Sequence, residues 1–354
     1  MKMTTLSSLP PELLRDIIES AVPPTFHSTT YKERKTTLCS LSLVSRQFRT
    51  IAQPLLLEIV CIKWDKQLEV LLKVTDGFVG IKEVIVGPDA SSKMVEWFSR
   101  RWKGIQSLTI SQRHEDPFDL EVLVQHTTLV NFQLSGCGFH STVCAPLTTL
   151  RSLTLDYRAL DSSVPLLLDP GMLPSPQALG LINVIDEEEL QQLEETNISR
   201  LLPQLDAIVI SSILYRLGIN GLFSGYSSRI LIGVLIGSLD SPTLPPSLTS
   251  ARHVRIQQVT TFTFEASAAI RSFLTACRES ENSSLKSIYL PLEWHPSRRQ
   301  SPAIVTEMKQ VMEVSEKAGI ELVFESQPNS FLDKFISREF WDRQRRTRKE
   351  EEQR

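Results

Sequence analysis

The chain has 354 residues, of which 41% are hydrophobic, and a formal net charge of −3. That length can bury one large core, or a small module followed by an extended array. A charge so near neutral sets up no overall field that would recruit nucleic acid or an acidic membrane surface, so neither is expected as a partner.

In chain order, Met1-Lys2-Met3-Thr4-Thr5 leads straight to prolines and charges and lacks the apolar run of a signal peptide. The most apolar stretch elsewhere, Ile230-Leu231-Ile232-Gly233-Val234-Leu235-Ile236-Gly237, is far shorter than the roughly 20 residues that cross a bilayer. Cys39, Cys61, Cys137, Cys144 and Cys277 are odd in number and scattered, unlike a disulfide framework. A cytoplasmic and/or nuclear location is therefore expected.

Pro10 and Pro11 suit a helix start, and Glu12 places negative charge in its first turn. Leu9, Leu13, Ile17 and Ala21 recur every four residues with Leu14 and Ile18 beside them, which predicts an amphipathic helix stopped by Pro23-Pro24. Residues 25–35 are polar and read as a loop with one short turn of helix. Thr36 and Thr37 then offer N-caps for a second helix, lined on one side by Leu38, Leu41, Val44, Phe48 and Ile51 and ended at Gln53-Pro54. So small a unit cannot bury its apolar faces alone and needs a partner.

The pattern Leu9-Pro10-x-Glu12-Leu13-Leu14-x-x-Ile17-Ile18, followed by Leu41-x-x-Val44-Ser45-Arg46-x-Phe48-Arg49-x-Ile51-Ala52, resembles an F-box of the fungal type, with a loop inserted at 23–36. The resemblance implies a three-helix module that binds the small Skp-type adaptor of cullin-RING ubiquitin ligases. It implies adaptor-facing or supporting roles for Leu9, Pro10, Leu13, Ile17, Leu41, Val44 and Phe48.

After Pro54 a strand-like phrase, apolar-x-x-apolar-x-apolar, recurs. It stands at Ile81/Val84/Val86, Ile105/Leu108/Ile110, Leu129/Phe132/Leu134, Leu150/Leu153/Leu155, Leu205/Ile208/Ile210, Leu231/Val234/Ile236, Ala251/Val254/Ile256 and Leu285/Ile288/Leu290. The pairs Leu179/Leu181 and Leu322/Phe324 are fainter examples. The first four begin at 81, 105, 129 and 150, a period in the twenties that signals leucine-rich repeats, whose units must stack to bury their inward faces. Segments between phrases read as helices: Ser91 to Phe98, Phe118 to His126, Ala266 to Cys277 and Pro302 to Ala318.

The predicted fold class is thus α/β: a helical module at 1–54, an irregular leucine-rich-repeat-like solenoid at 55–325, and a C-terminal helix with a charged tail at 326–354. The tail, from Arg343 to Arg354, contains a basic run that could serve nuclear import.

No catalytic constellation stands out, and no enzyme activity or cofactor is expected. Cys137, His140 and Cys144 lie close together, but a structural zinc needs four ligands and only His126 is near. Gly136-x-Gly138 lacks the third glycine of a phosphate loop. Asp186 to Glu189 and Glu194-Glu195 read as a solvated helix start. Function should therefore lie in binding, and the F-box resemblance implies its form: one end docks an adaptor, and through it a cullin-RING ligase, while the repeats hold a protein substrate for ubiquitin-dependent degradation. By strand alternation the substrate-facing candidates are Ser107, Thr109, Asn131, Gln133, Ser152, Thr154, Arg255 and Tyr289. The alternative is a scaffold with the same two binding regions that works outside a ligase.

Overall fold

The computed structural model describes residues 9–23, 28–74, 80–90, 101–111, 117–136, 138–140, 145–156, 169–182, 205–211, 231–236, 244, 248–249, 251–258, 262–281, 283–298 and 301–325. The protein is mixed α/β, and its strands pair in parallel. It divides into two compact units, one holding the described residues up to Ser111 and one holding those from 117 to 325.

The first unit begins with three helices: α1 (Pro11–Ala21), α2 (Ser28–Val44) and α3 (Arg46–Leu57). Strand β1 (Ile59–Trp64), helix α4 (Asp65–Val74), β2 (Glu83–Asp89) and β3 (Ser107–Ser111) follow. Three expectations change here. Residues from Ser28 onward are helix, not loop. The long second helix is broken at Ser45, whose extended backbone and side-chain oxygen cap a new helix by accepting from the Phe48 amide at 3.2 Å. Pro54 lies inside α3, which continues past it because Leu55 is buried and anchors the last turn.

Leu14, Ile18 and Val22 of α1 and its exit close onto Leu38 of α2 and onto Phe48, Ala52 and Leu55 of α3, with Leu41, Ile51 and Leu56 at the edge. This cluster is why three short amphipathic helices hold together. Each fully buried Leu or Ile contributes on the order of 2 kcal/mol.

The sheet of this unit runs β1-β2-β3, with Val60 beside Val84 and Val84 beside Leu108. Val60, Ile62, Val84, Val86, Leu108 and Ile110 point into the core. Leu57/Val60/Ile62 is thus one more copy of the strand phrase, hidden because its first residue belongs to α3. Tyr31 of α2 lies against the Cys61 backbone, and burial pushes its hydroxyl up to about 12. An unfolded tyrosine ionises near 10. The stability that neutral Tyr31 contributes is therefore complete below about pH 10 and is lost as pH rises towards about 12. Alkaline denaturation followed by circular dichroism should show this loss, and Tyr31→Phe should flatten it.

In the second unit, β4 (Phe118–Asp119) and β6 (Phe139–His140) form a small two-stranded sheet. The main strands are β5 (Asn131–Ser135), β7 (Ser152–Asp156), β8 (Ala178–Ile182), β9 (Ala207–Ser211), β10 (Leu231–Ile236), β11 (His253–Gln258), β12 (Ser287–Pro291) and β13 (Glu321–Glu325). Each pairs in parallel with the next, in chain order. Every predicted phrase forms a strand. In β10 the register places Ile232, not Val234, beside Ile208 and Val254, a shift of two residues.

Phe118 to His126 is not an α-helix. Phe118 starts β4 beside Phe139, and the Asp119 carboxylate caps a 3-10 helix over Leu120–Gln125 by accepting from the Glu121 amide at 2.9 Å. Helices α5 (Phe264–Glu279) and α6 (Pro302–Ala318) match the pattern in place and type. Thr263 and Ser301 cap them, and α6 ends on Gly319 at φ +69, where any Cβ would strain the backbone. Arg271 of α5 bonds Gln310 and, at 3.1 Å, Glu307 of α6, and Ser267 donates to the same Glu307 at 2.9 Å.

A repeated backbone device marks each unit. The Glu58 carbonyl accepts from Lys82 and Glu83, and the Lys82 carbonyl from Gln106 and Ser107. The Val130, Arg151, Gln177 and Arg252 carbonyls do the same for the amide pairs 151/152, 177/178, 206/207 and 286/287. At these six places one carbonyl just before a strand fixes the entry of the next.

Candidate docking surface

On α1 the heptad-like spacing splits the apolar residues into two sets. Leu14 and Ile18 face the internal core and are essentially unexposed, whereas Leu13 and Ile17, four residues apart on the adjoining strip, are 52% and 44% exposed. Leu9, Leu13, Asp16, Ile17, Ser20 and Ala21 line a shallow depression. At the α2–α3 corner, Leu43 and Val44 are 78% and 64% exposed. Gln47 on the first turn of α3 donates to the Leu9 carbonyl at 3.2 Å, which fastens the start of α1 to this corner. The helical trio therefore satisfies its own core and still presents apolar side chains that nothing among the described residues covers.

The seven positions named from the sequence fall into three groups. Leu13, Ile17, Val44 and Pro10 are exposed; Leu9 and Leu41 are half-buried; Phe48 lies in the core and supports the others from beneath. Leu43 was missed. It lies off the Leu38/Leu41/Val44 stripe, on the side of α2 turned away from Leu38.

Polar groups pin the back of α1. Arg15 pairs with Glu19 at 2.7 Å and reaches Glu58 at 3.5 Å, while Lys82 meets the same Glu58 carboxylate at 2.9 Å. Glu19 beside Arg15 raises the guanidinium pKa above its ordinary value. These contacts tie α1 to the end of α3 and the entry of β2, so the exposed strip is held on a fixed helix.

On the strands, five of the eight positions named by alternation are open to solvent and three are not. Ser107, Thr109, Gln133 and Ser152 are half-exposed and Asn131 is exposed. Thr154, Arg255 and Tyr289 are buried, at 5%, 3% and 5% exposure. Thr154 fills the space over Gly180, where an added Cβ would come within 2.8 Å of its methyl group. Arg255 and Tyr289 are cross-strand partners, and the Tyr289 ring meets His253 edge-on while His253 Nδ1 lies 2.8 Å from Ser287 Oγ.

His140 faces Asp119 at 3.8 Å; Cys137 and Cys144, its neighbours in the sequence cluster, lie outside the described residues, as do Ser91 to Phe98, the acidic run at 186–195 and the C-terminal segment 326–354. Among the described residues no three metal-ligating side chains come together. No described helix is long and apolar enough to cross a membrane. Compared with models of known protein families and with curated protein sequences, the chain matches none.

Proposed function

We propose that the chain is the substrate-recognition subunit of an SCF-type (cullin-RING) ubiquitin ligase, with the N-terminal helices acting as an F-box that docks a Skp-type adaptor. The observation that carries this reading is the division of labour on α1: Leu14 and Ile18 close the module's core while Leu13 and Ile17 stand exposed beside Leu9 and Pro10. The strip coincides with positions to which the Leu-Pro-x-Glu-Leu-Leu resemblance gives adaptor-facing or supporting roles. The three-helix build of residues 11–57 supports it further.

The remaining strands are read as an irregular leucine-rich-repeat-like solenoid. Parallel pairing in chain order and the carbonyl device that recurs before six of the strands support this. Half-exposed Ser107, Thr109, Gln133 and Ser152, together with exposed Asn131, would then contact the protein substrate. The mechanism is effective concentration: one end is held by the ligase, and the other keeps its target near the charged ubiquitin carrier. Such work would take place in the cytoplasm and/or nucleus.

Leu9→Ala with Pro10→Ala removes the front edge of the strip without touching the core. Capture of a purified Skp-type adaptor by the full chain should fall at least about tenfold. Undiminished capture by this double variant would contradict the docking assignment. Cullin in the captured complex would separate the ligase from the scaffold working outside it.

A further inference from the structure

The charges around the α1 strip also specify the rim of whatever binds there, and this inference rests on the docking reading above. We propose that the adaptor surface seated on Leu13 and Ile17 carries carboxylates opposite Arg46 and Arg49 and a cation opposite Asp16. Arg46 is the first residue of α3, two positions after exposed Val44. Arg49 donates from Nε to the Ser42 carbonyl at 3.2 Å, which holds its guanidinium at the end of α2 beside exposed Leu43. Both arginines are exposed, and among the described residues neither forms an ion pair with a carboxylate.

On the other flank, Asp16 lines the depression together with Leu13, Ile17 and Ser20 and also lacks an ion-pair partner among the described residues. The neighbouring charges Arg15 and Glu19 neutralise each other. The apolar strip is therefore cationic at the α2–α3 corner and anionic along α1. A partner with the opposite distribution gains orientation and encounter rate from this arrangement.

The test measures association of a purified Skp-type adaptor with the full chain at about 50 mM and about 500 mM salt. Arg46→Glu with Arg49→Gln should slow association about tenfold at the lower salt, and the difference should shrink at the higher. A glutamate at the first helical position is well tolerated by the helix dipole, so the fold should persist. Asp16→Lys should slow association as well. If both charge variants associate at the original rate with the original salt dependence, while Leu13→Asp still blocks binding, the rim assignment is overturned and the docking reading stands. If Leu13→Asp leaves adaptor binding intact, the docking reading itself fails. Self-association of the purified chain that Leu13→Asp abolishes would give this face to a second copy and overturn the proposal.

Discussion

Leu13→Asp combined with Ile17→Asp is expected to abolish adaptor binding, a loss of at least about 100-fold, while the melting temperature of the full chain stays unchanged. The two side chains are about half exposed already, so the folded protein loses little of its own burial when they become carboxylates. At an interface the same change removes two apolar anchors and leaves two buried charges without partners, which is costly. Isothermal titration with a purified adaptor, alongside a calorimetric melt, measures both quantities. Full affinity in this variant would remove α1 from the interface.

Phe48→Ala should show the opposite pattern. Phe48 is 9% exposed and sits among Leu14, Ile18, Leu38, Ala52 and Leu55. Its truncation should destabilise the helical trio by about 3–5 kcal/mol. Adaptor binding should fall with it, but through unfolding, so a chemical denaturation curve should shift together with the affinity. A variant that melts normally yet fails to bind would instead place Phe48 in direct contact with the adaptor.

The contrast between these two variants rests on one physical distinction that the sequence could only partly express. Residues 13, 14, 17 and 18 are all apolar, and their spacing shows a wide helix face. Which half of that face meets the protein's own core depends on where α2 and α3 pack. The strands were legible for a simpler reason: period-two alternation survives any tertiary arrangement, and apolar residues of successive phrases, such as Phe132, Leu153 and Leu179, line up across neighbouring strands.

Elsewhere in the chain the local signal is masked. Residues 28–35 carry no apolar period, yet they are helical because they continue into the packed segment around Leu38 and because Tyr31 rests on Cys61. The break at Ser45 was hidden by apolar residues that keep helical spacing on both sides of it. The offset in β10 is invisible in the sequence because a two-residue slip leaves the period-two pattern unchanged. Burial of Thr154, Arg255 and Tyr289 could not be foreseen either, since alternation tells which face a side chain takes but not whether that face is open.

The central claim is that the exposed strip of α1, with the α2–α3 corner beside it, is where a Skp-type adaptor binds. Amide hydrogen exchange on the full chain, with and without a purified adaptor, tests it most directly. The expected result is new protection across residues 9–21 and 43–49, with the strands from β7 onward unchanged. Protection confined to the strands, or none at the N-terminal helices under saturating adaptor, would contradict it.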